Sequence, residues 1–384
     1  MSTKKRIFSY RKEFPILKNF IYLNAAGSSP LPLRTKKAIE NLLKRYTEEG
    51  NIPWEDFENL SEGTRKMVAQ FLSCQPEEIC FLRNTSEGIT TALNLLELKP
   101  EENIIIALDN FPANIYPFLY SRPQIEKRFV RILDGDIIKQ LVKKVNSKTK
   151  LVSLDWVHFL SGYSLDLEAI SEFCQKRGIC LLIDAIQGLG ALKLNLKTLA
   201  IDFLAAGAGK WLFPPQGIGI FYVRKELLPK LKPNHLGWLS CFWSDFNQIF
   251  KQKKLKSEAG RYEEGTKNYL GIVGLDENIK LLTEIGIENI EKHLLTLSEY
   301  LIAQLKEMGL ETLPRGFGSG IVAFRKKGIP SQPLFEFLTK RRFVLSLRED
   351  YIRVSPHFYN TKEEIEELLE ALKEYNQRAV LFGR

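Results

Sequence analysis

An α/β protein is what the sequence predicts: a large domain on a mostly parallel, doubly wound sheet, with a smaller α+β domain completing the chain. Three observations lead there. From about residue 100 to 223, short apolar or β-branched runs alternate with helical periods, the pattern of strands joined by crossover helices. Beyond the glycine-rich stretch at 204–223 the pattern changes to one long amphipathic period, two strand-like runs and a terminal helix. The third is length, since 384 residues exceed one small core and favour two domains.

Taken in order, "NIIIALDN" reads as a strand, "DIIKQLVKKV" as a helix and "KLVSLDWV" as a strand. "LEAISEFCQKRG" is helical in period, and "ICLLIDA" is a buried strand. One more helix-like segment follows, then the strands "IDFLAAGA" and "IGIFYV". In the second part, "GIENIEKHLLTLSEYLIAQLKEMG" is an amphipathic helix, and "GIVAFR" and "FVLSLR" are strands. The tail "TKEEIEELLEALKEY" opens with Thr361 and Glu364 at capping-box spacing. The expected division is a large domain over 20–260, with 1–19 and 261–384 forming the smaller one.

Formal net charge is +9, but acidic and basic residues intermingle. The densest basic tract, "KQKKLK" at 251–256, reads as a solvated face rather than a nucleic-acid patch. The charge helps solubility and attracts anionic ligands. The cysteines, Cys74, Cys80, Cys174, Cys180 and Cys241, form no C-x-x-C pair, and no H-E-x-x-H occurs, so no metal site is expected. The start lacks the apolar run of a signal peptide and no stretch approaches a membrane span. The cytoplasm is the expected location, with neither nucleic acid nor membrane as partner. No G-x-G-x-x-G follows the first strand, which argues against a dinucleotide-binding dehydrogenase.

Lys210 is a lone charge among small and apolar residues in "LAAGAGKWLFPPQGIGIFYV". Desolvation lowers a lysine's pKa and makes it a usable nucleophile and base. Asp184 ends an apolar strand in "CLLIDAIQGLG", where a carboxylate needs a cationic partner. A buried ion pair satisfies that need, and so does a protonated heterocyclic nitrogen with Gln187 reaching the same ring. Lys210 follows Asp184 by 26 residues, far enough for a βαβ path to return to the same sheet edge. In "RNTSEGITTALNLL", Thr85 and Ser86 precede a helix; this suits an anion site, and plain N-capping equally.

The order and spacing of these motifs resemble the class V aminotransferase family, the cysteine-desulfurase-like branch of the fold-type I pyridoxal-phosphate enzymes. The resemblance runs from "YLNAAGSSPLP" at 22–32 to "IRVSPHFYNTKEEIEELL" at 352–369. It implies pyridoxal 5′-phosphate bound as a Schiff base to Lys210, with Asp184 at the pyridine nitrogen and Gln187 at the phenolic oxygen. Thr85 and Ser86 resemble the phosphate-binding pair, and Phe111 in "DNFPANIYP" takes the place of the stacking ring. Arg353 matches the receiver of the substrate α-carboxylate, and Asn24 and His158 join it as substrate-binding residues. Gly265-Thr266 in "RYEEGTKNYLGIVGL" resembles the loop that reaches the neighbouring subunit's phosphate, which implies a homodimer.

Three departures from the family pattern stand out. The interval "RRFVLSLREDYIRVS" before Arg353 has no cysteine, so persulfide chemistry and a typical cysteine desulfurase are not expected; Cys241 is distant in sequence. Gly207 and Gly209 stand where a serine and a histidine are usual, leaving backbone amides to bind phosphate. Phe159 replaces a frequent asparagine, with His158 beside it as a candidate acid or base. The implied reaction on an amino acid or small amine proceeds through an external aldimine, foremost as an aminotransferase. A C–S lyase, an epimerase resembling isopenicillin N epimerase, and kynureninase-like hydrolysis are the alternatives.

Overall fold

The computed structural model describes residues 7–233, 235–242 and 254–381; the first three residues of the basic tract at 251–256 lie outside them. In chain order the strands are β1 (Ile21–Tyr22), β2 (Ile79–Leu82), β3 (Asn103–Ala107), β4 (Glu126–Val130), β5 (Thr149–Asp155), β6 (Cys180–Asp184), β7 (Phe203–Gly207) and β8 (Gly219–Val223). The last seven form one sheet in the order β2-β8-β7-β6-β5-β3-β4. Pairing is parallel from β4 through β3, β5 and β6 to β7, and antiparallel where β8 meets β7 and β2. The short return from β7 to β8 permits only an antiparallel neighbour, and that return carries Lys210. Every residue of β3, β7 and β8 is buried, as expected of strands covered on both faces.

Two strands of this sheet escape the sequence reading. The tetrapeptide "ICFL" of β2 is too short to show a period, and β4 opens with Glu126, Lys127 and Arg128 because it is an edge strand, where charge discourages further pairing. One expected helix is absent: residues 185–202, between β6 and β7, form turns. Gly188 packs so closely on Trp156 that a Cβ there would lie 2.2 Å from the indole. Gly190 takes φ +95°, outside any helical conformation.

The remaining strands are β9 (Glu311–Thr312), β10 (Val322–Arg325), β11 (Phe343–Val344), β12 (Ser346–Arg348) and β13 (Tyr351–Val354). Four of them pair as β12-β13-β10-β9, while β11 runs parallel to β1. The expected strand "FVLSLR" is thus two strands serving different sheets. The terminal helix Lys362–Leu381 has the expected capping box: Thr361 N–H donates to Glu364 and Glu364 N–H donates back to Thr361 Oγ1.

Hydrophobic contact follows a different line from the expected division at 260/261. Ile7 and Phe14, and the helix Tyr269–Ile285, join the core of the large sheet. The boundary falls within the helix Ile287–Glu307: Ile290 and Leu294 face the large core, Leu297, Leu301 and Leu305 the small one. Leu23, reached through β1, also belongs to the small core. An apolar period tells which face of a helix is buried but not against which neighbour.

Candidate active site

Because β6 and β7 are parallel neighbours, their carboxyl ends open on one edge of the sheet, where such sheets bind ligands. Asp184 ends β6, and Lys210 lies three residues beyond β7 in a tight turn. Gly209 bends the chain there with φ +98°, and its N–H donates to the Phe213 carbonyl at 2.9 Å. Asp184 is 2% exposed. Its Oδ1 accepts from Ile186 N–H at 3.0 Å, whereas Oδ2 is buried with no partner. Burial raises this carboxyl to about 6, opposed by the Ile186 N–H and Lys210. Burial likewise brings Lys210 down to about 8, against the pull of Asp184 and with the push of Arg353.

Asp155, which the sequence reading did not single out, ends β5 as the Cα partner of Asp184. It accepts from Phe111 N–H at 2.7 Å and from Asn114 Nδ2 at 3.0 Å. This fixes the loop that presents Phe111. The Phe111 ring is 40% exposed; Lys210 Nζ lies 5.6 Å from its centroid and Phe159 meets it edge-on at 5.4 Å. The available signal was a second apolar strand ending in a carboxylate, "LVSLD" beside "CLLID".

The helix Thr85–Leu95 opens toward the same edge. Its cap is Asn84, whose Oδ1 accepts from Glu87 N–H at 2.9 Å, so capping is not the task of Thr85 or Ser86. Thr85 Oγ1 accepts from Gly207 N–H at 2.8 Å. The Gly207 amide, expected to replace a missing hydroxyl, is therefore committed to Thr85. A Cβ on Gly207 would sit 3.4 Å from that oxygen, narrowing the space over the helix N-terminus. Ser86 is exposed beside it.

Gln187 is buried and its amide orientation is fixed by its neighbours. Trp211 Nε1 can only donate and gives its proton to Gln187 Oε1 at 2.9 Å; the Ala26 carbonyl can only accept, and takes one from Nε2 at 3.1 Å. Gln187 thus offers the site a donor. The Trp211 carbonyl lies 3.0 Å from Nε2 of the buried His357, tying this corner to the C-terminal segment.

Arg353, on β13, is 2% exposed. Its Nη1 donates to the Phe159 carbonyl at 2.6 Å and its Nη2 to Ser346 Oγ at 3.3 Å, while Nε is buried without a partner. Ser346 donates in turn to Asn24 Oδ1 at 2.5 Å. Burial, and then the charge of Arg348, hold this guanidinium down to about 10. Asn24 therefore supports Arg353 through Ser346.

The aminotransferase class-V model matches residues 21–368, nearly the whole described chain. The chain belongs to the aminotransferase class-V family. An "uncharacterized aminotransferase YcbU" of Bacillus subtilis is 27% identical, covering 94% of this chain and 96% of its own length. A "probable cysteine desulfurase" of Methanothermobacter thermautotrophicus is 26% identical over 95% of this chain and 96% of its own. Among solved structures, a lysine-to-alanine mutant of C-DES with glycine covalently linked to the PLP cofactor superposes with a TM-score of 0.88. It has 24% identity and covers 94% of this chain and 98% of the other. The apo cysteine desulfurase of Thermococcus onnurineus gives 0.85 at 23% identity, covering 96% and 97%.

The residues of this class-V chain fit pyridoxal phosphate, and the test lies in the unsatisfied groups. A protonated ring nitrogen would meet the orphaned Asp184 Oδ2, and the phosphate would meet the first turn of the Asn84-capped helix at Thr85 and Ser86. Lys210 and Phe111 stand where the carbonyl carbon and the ring face belong.

His158 and Thr266 take no part in the contacts above; Thr266 is expected at a neighbouring subunit's phosphate. His158 is 3% exposed, and its Nδ1 accepts from Ser161 N–H at 3.1 Å within a tight turn; burial takes it down to about 4. Its ring is held within that turn. Thr266 is exposed and lines a cleft with Arg83 and Gly217. Among the described residues no His, Cys, Asp or Glu cluster could hold a metal, and no helix is long and apolar enough to cross a membrane.

Proposed function

We propose that this chain is a pyridoxal-phosphate-dependent aminotransferase acting on an amino acid. The observation that carries the reading is the pair of Asp184, with one buried oxygen unpaired, and Lys210, brought to about 8. When bound, pyridoxal phosphate supplies an electron-withdrawing ring that weakens bonds at the substrate α-carbon. The protein's own groups do the rest. Asp184 Oδ2 would hold the proton of the ring nitrogen. Lys210 Nζ, brought to about 8, would take up the α-carbon proton as a general base. Arg353 would bind the α-carboxylate, Phe111 would cover the ring, and the Gln187 donor would hold the ring oxygen.

Four of the five thiols, all but Cys241, are unsuited to persulfide chemistry. Burial pushes Cys74 and Cys174 up to about 12 and Cys80 and Cys180 well upward, far from reactive thiolates. A C–S lyase shares every residue above and differs only in the group that leaves. The decisive experiment incubates the loaded protein with a panel of amino acids. Loss of the cofactor's visible band with release of an oxo acid supports the aminotransferase. Sulfide and pyruvate with the band retained would replace it by the lyase.

The reading includes a homodimer, in which Gly265 and Thr266 serve the second copy's phosphate. Half-exposed Trp238 lies beside Gly265 and packs on Trp54 at 5.3 Å, an aromatic surface suited to cover by another protomer. Sedimentation of loaded protein should give twice the chain mass; a fully loaded monomer would overturn this part.

A further inference from the structure

The hairpin β12–β13 carries a second arginine that the chemistry above leaves unused. Ser346 is the Cα partner of Arg353, and Arg348 is the partner of Tyr351. Residues two apart on a strand, and residues opposite one another, share a face. Ser346, Arg348, Tyr351 and Arg353 therefore line one side of the hairpin, and the bond from Arg353 to Ser346 shows it is the side of the site. The wall continues: Tyr351 clusters with Leu160 and Phe159, and Phe159 meets the Phe111 ring.

Arg348 is exposed and forms no ion pair among the described residues. Its acidic neighbours Glu349 and Asp350 make the turn, and Asp350 accepts from Ser331 N–H at 2.8 Å. Its charge is felt within the site, since it lowers both Arg353 and Lys210. Two guanidinium groups thus face one opening, Arg353 at the base with an unpaired Nε and Arg348 at the rim. On this face Glu311 is engaged by Arg325 at 2.9 Å and by the Tyr351 hydroxyl at 3.3 Å. Like charges held together are unfavourable. A ligand with two negative groups removes that cost.

We propose that Arg348 is a specificity-determining residue that binds an anionic group on the substrate side chain, making acidic amino acids such as aspartate or glutamate the preferred class. The inference rests on the pyridoxal-phosphate reading above. The α-carboxylate takes Arg353, the side-chain carboxylate takes Arg348, and the apolar wall of Phe111, Phe159 and Tyr351 spans the carbon chain between them.

The test uses loaded wild type, Arg348→Gln and Arg348→Lys. Two unreactive probes, maleate and propionate, are titrated by calorimetry, and aspartate and alanine are compared as substrates. Wild type should bind maleate roughly tenfold or more tighter than propionate, the scale of one charge-assisted contact. Arg348→Gln should erase that ratio and lower the aspartate-to-alanine ratio of kcat/KM by a similar factor, chiefly through KM. Arg348→Lys should restore part of both. Equal binding of the two probes by wild type, or an unchanged ratio in Arg348→Gln, overturns the proposal. Protein that takes up no cofactor overturns the earlier reading instead, and cofactor uptake is measured on the same samples.

Discussion

Asp155 and Asp184 are Cα partners at the ends of adjacent strands, yet only one of them is satisfied. Asp155 receives two hydrogen bonds from the Phe111 loop, while Asp184 keeps an oxygen buried and unpaired. One carboxylate is structural, and in the proposed function its neighbour serves the cofactor. Asp184→Asn should preserve the fold and lower turnover by roughly 10²–10³, the scale of removing one charge-stabilising group. Asp155→Asn should act mainly by loosening the Phe111 loop. Cofactor dissociation rates and kcat, measured on both variants, separate the two roles.

Trp211 fixes which end of the Gln187 amide faces the site. Trp211→Phe keeps an aromatic ring but removes the donor, so the amide can turn and present its oxygen. The expected result is a shift in the pKa at which the bound cofactor's visible band changes, with the melting temperature little altered. A band that titrates as in wild type would mean that the indole N–H has no part in holding the amide.

Lys210 is held below its ordinary pKa by burial, so the folded cofactor-free protein is destabilised by its charge wherever lysine is protonated in the unfolded chain. That penalty is fully present below about 8 and relieved as pH rises through the ordinary value of 10.5. Lys210→Met should therefore stabilise the cofactor-free protein at neutral pH by on the order of 1–3 kcal/mol. Denaturant unfolding at pH 7 and pH 10 checks both the gain and its decline.

Glu263 has the opposite sign. Arg65 binds it through two N–H groups at 2.8 and 3.0 Å, Lys267 adds a contact at 3.2 Å, and Phe81 N–H donates at 2.8 Å. Although burial opposes ionisation, Arg65 and then Lys267 hold this carboxyl down to about 2. Its contribution is complete above the unfolded value near 4.5 and lost as pH falls through about 2. Glu263→Gln should cost about 3–5 kcal/mol at neutral pH and flatten the acid limb of the stability curve. It should also weaken the loop that bears Thr266.

Much of the site was legible because its residues sit in continuous motifs. Asp184 and Lys210 are each marked by a charged group in apolar surroundings, a pattern a linear reading detects, whereas Arg353 is reached only through the family resemblance. Asp155 was not legible, since its importance lies in the register of β5 against β6. Trp211 was not singled out, because the direction of its indole N–H is a tertiary fact. The turn closed by Ser161, which engages a ring nitrogen of His158, is likewise a local contact that the linear pattern does not display. The false helix at 185–202 had the right apolar spacing, and the close packing of Gly188 under Trp156 decided against it. The hydrophobic clusters divide elsewhere than the expected boundary because the helix Ile287–Glu307 presents one continuous apolar face to two different cores.

The account depends most on a covalent bond between Lys210 and pyridoxal phosphate. Loaded protein would be reduced with borohydride, digested and analysed by mass spectrometry. The predicted result is one pyridoxyl-modified peptide carrying Lys210, absent from Lys210→Ala. A modification on a different lysine, or one that survives in that variant, would contradict it.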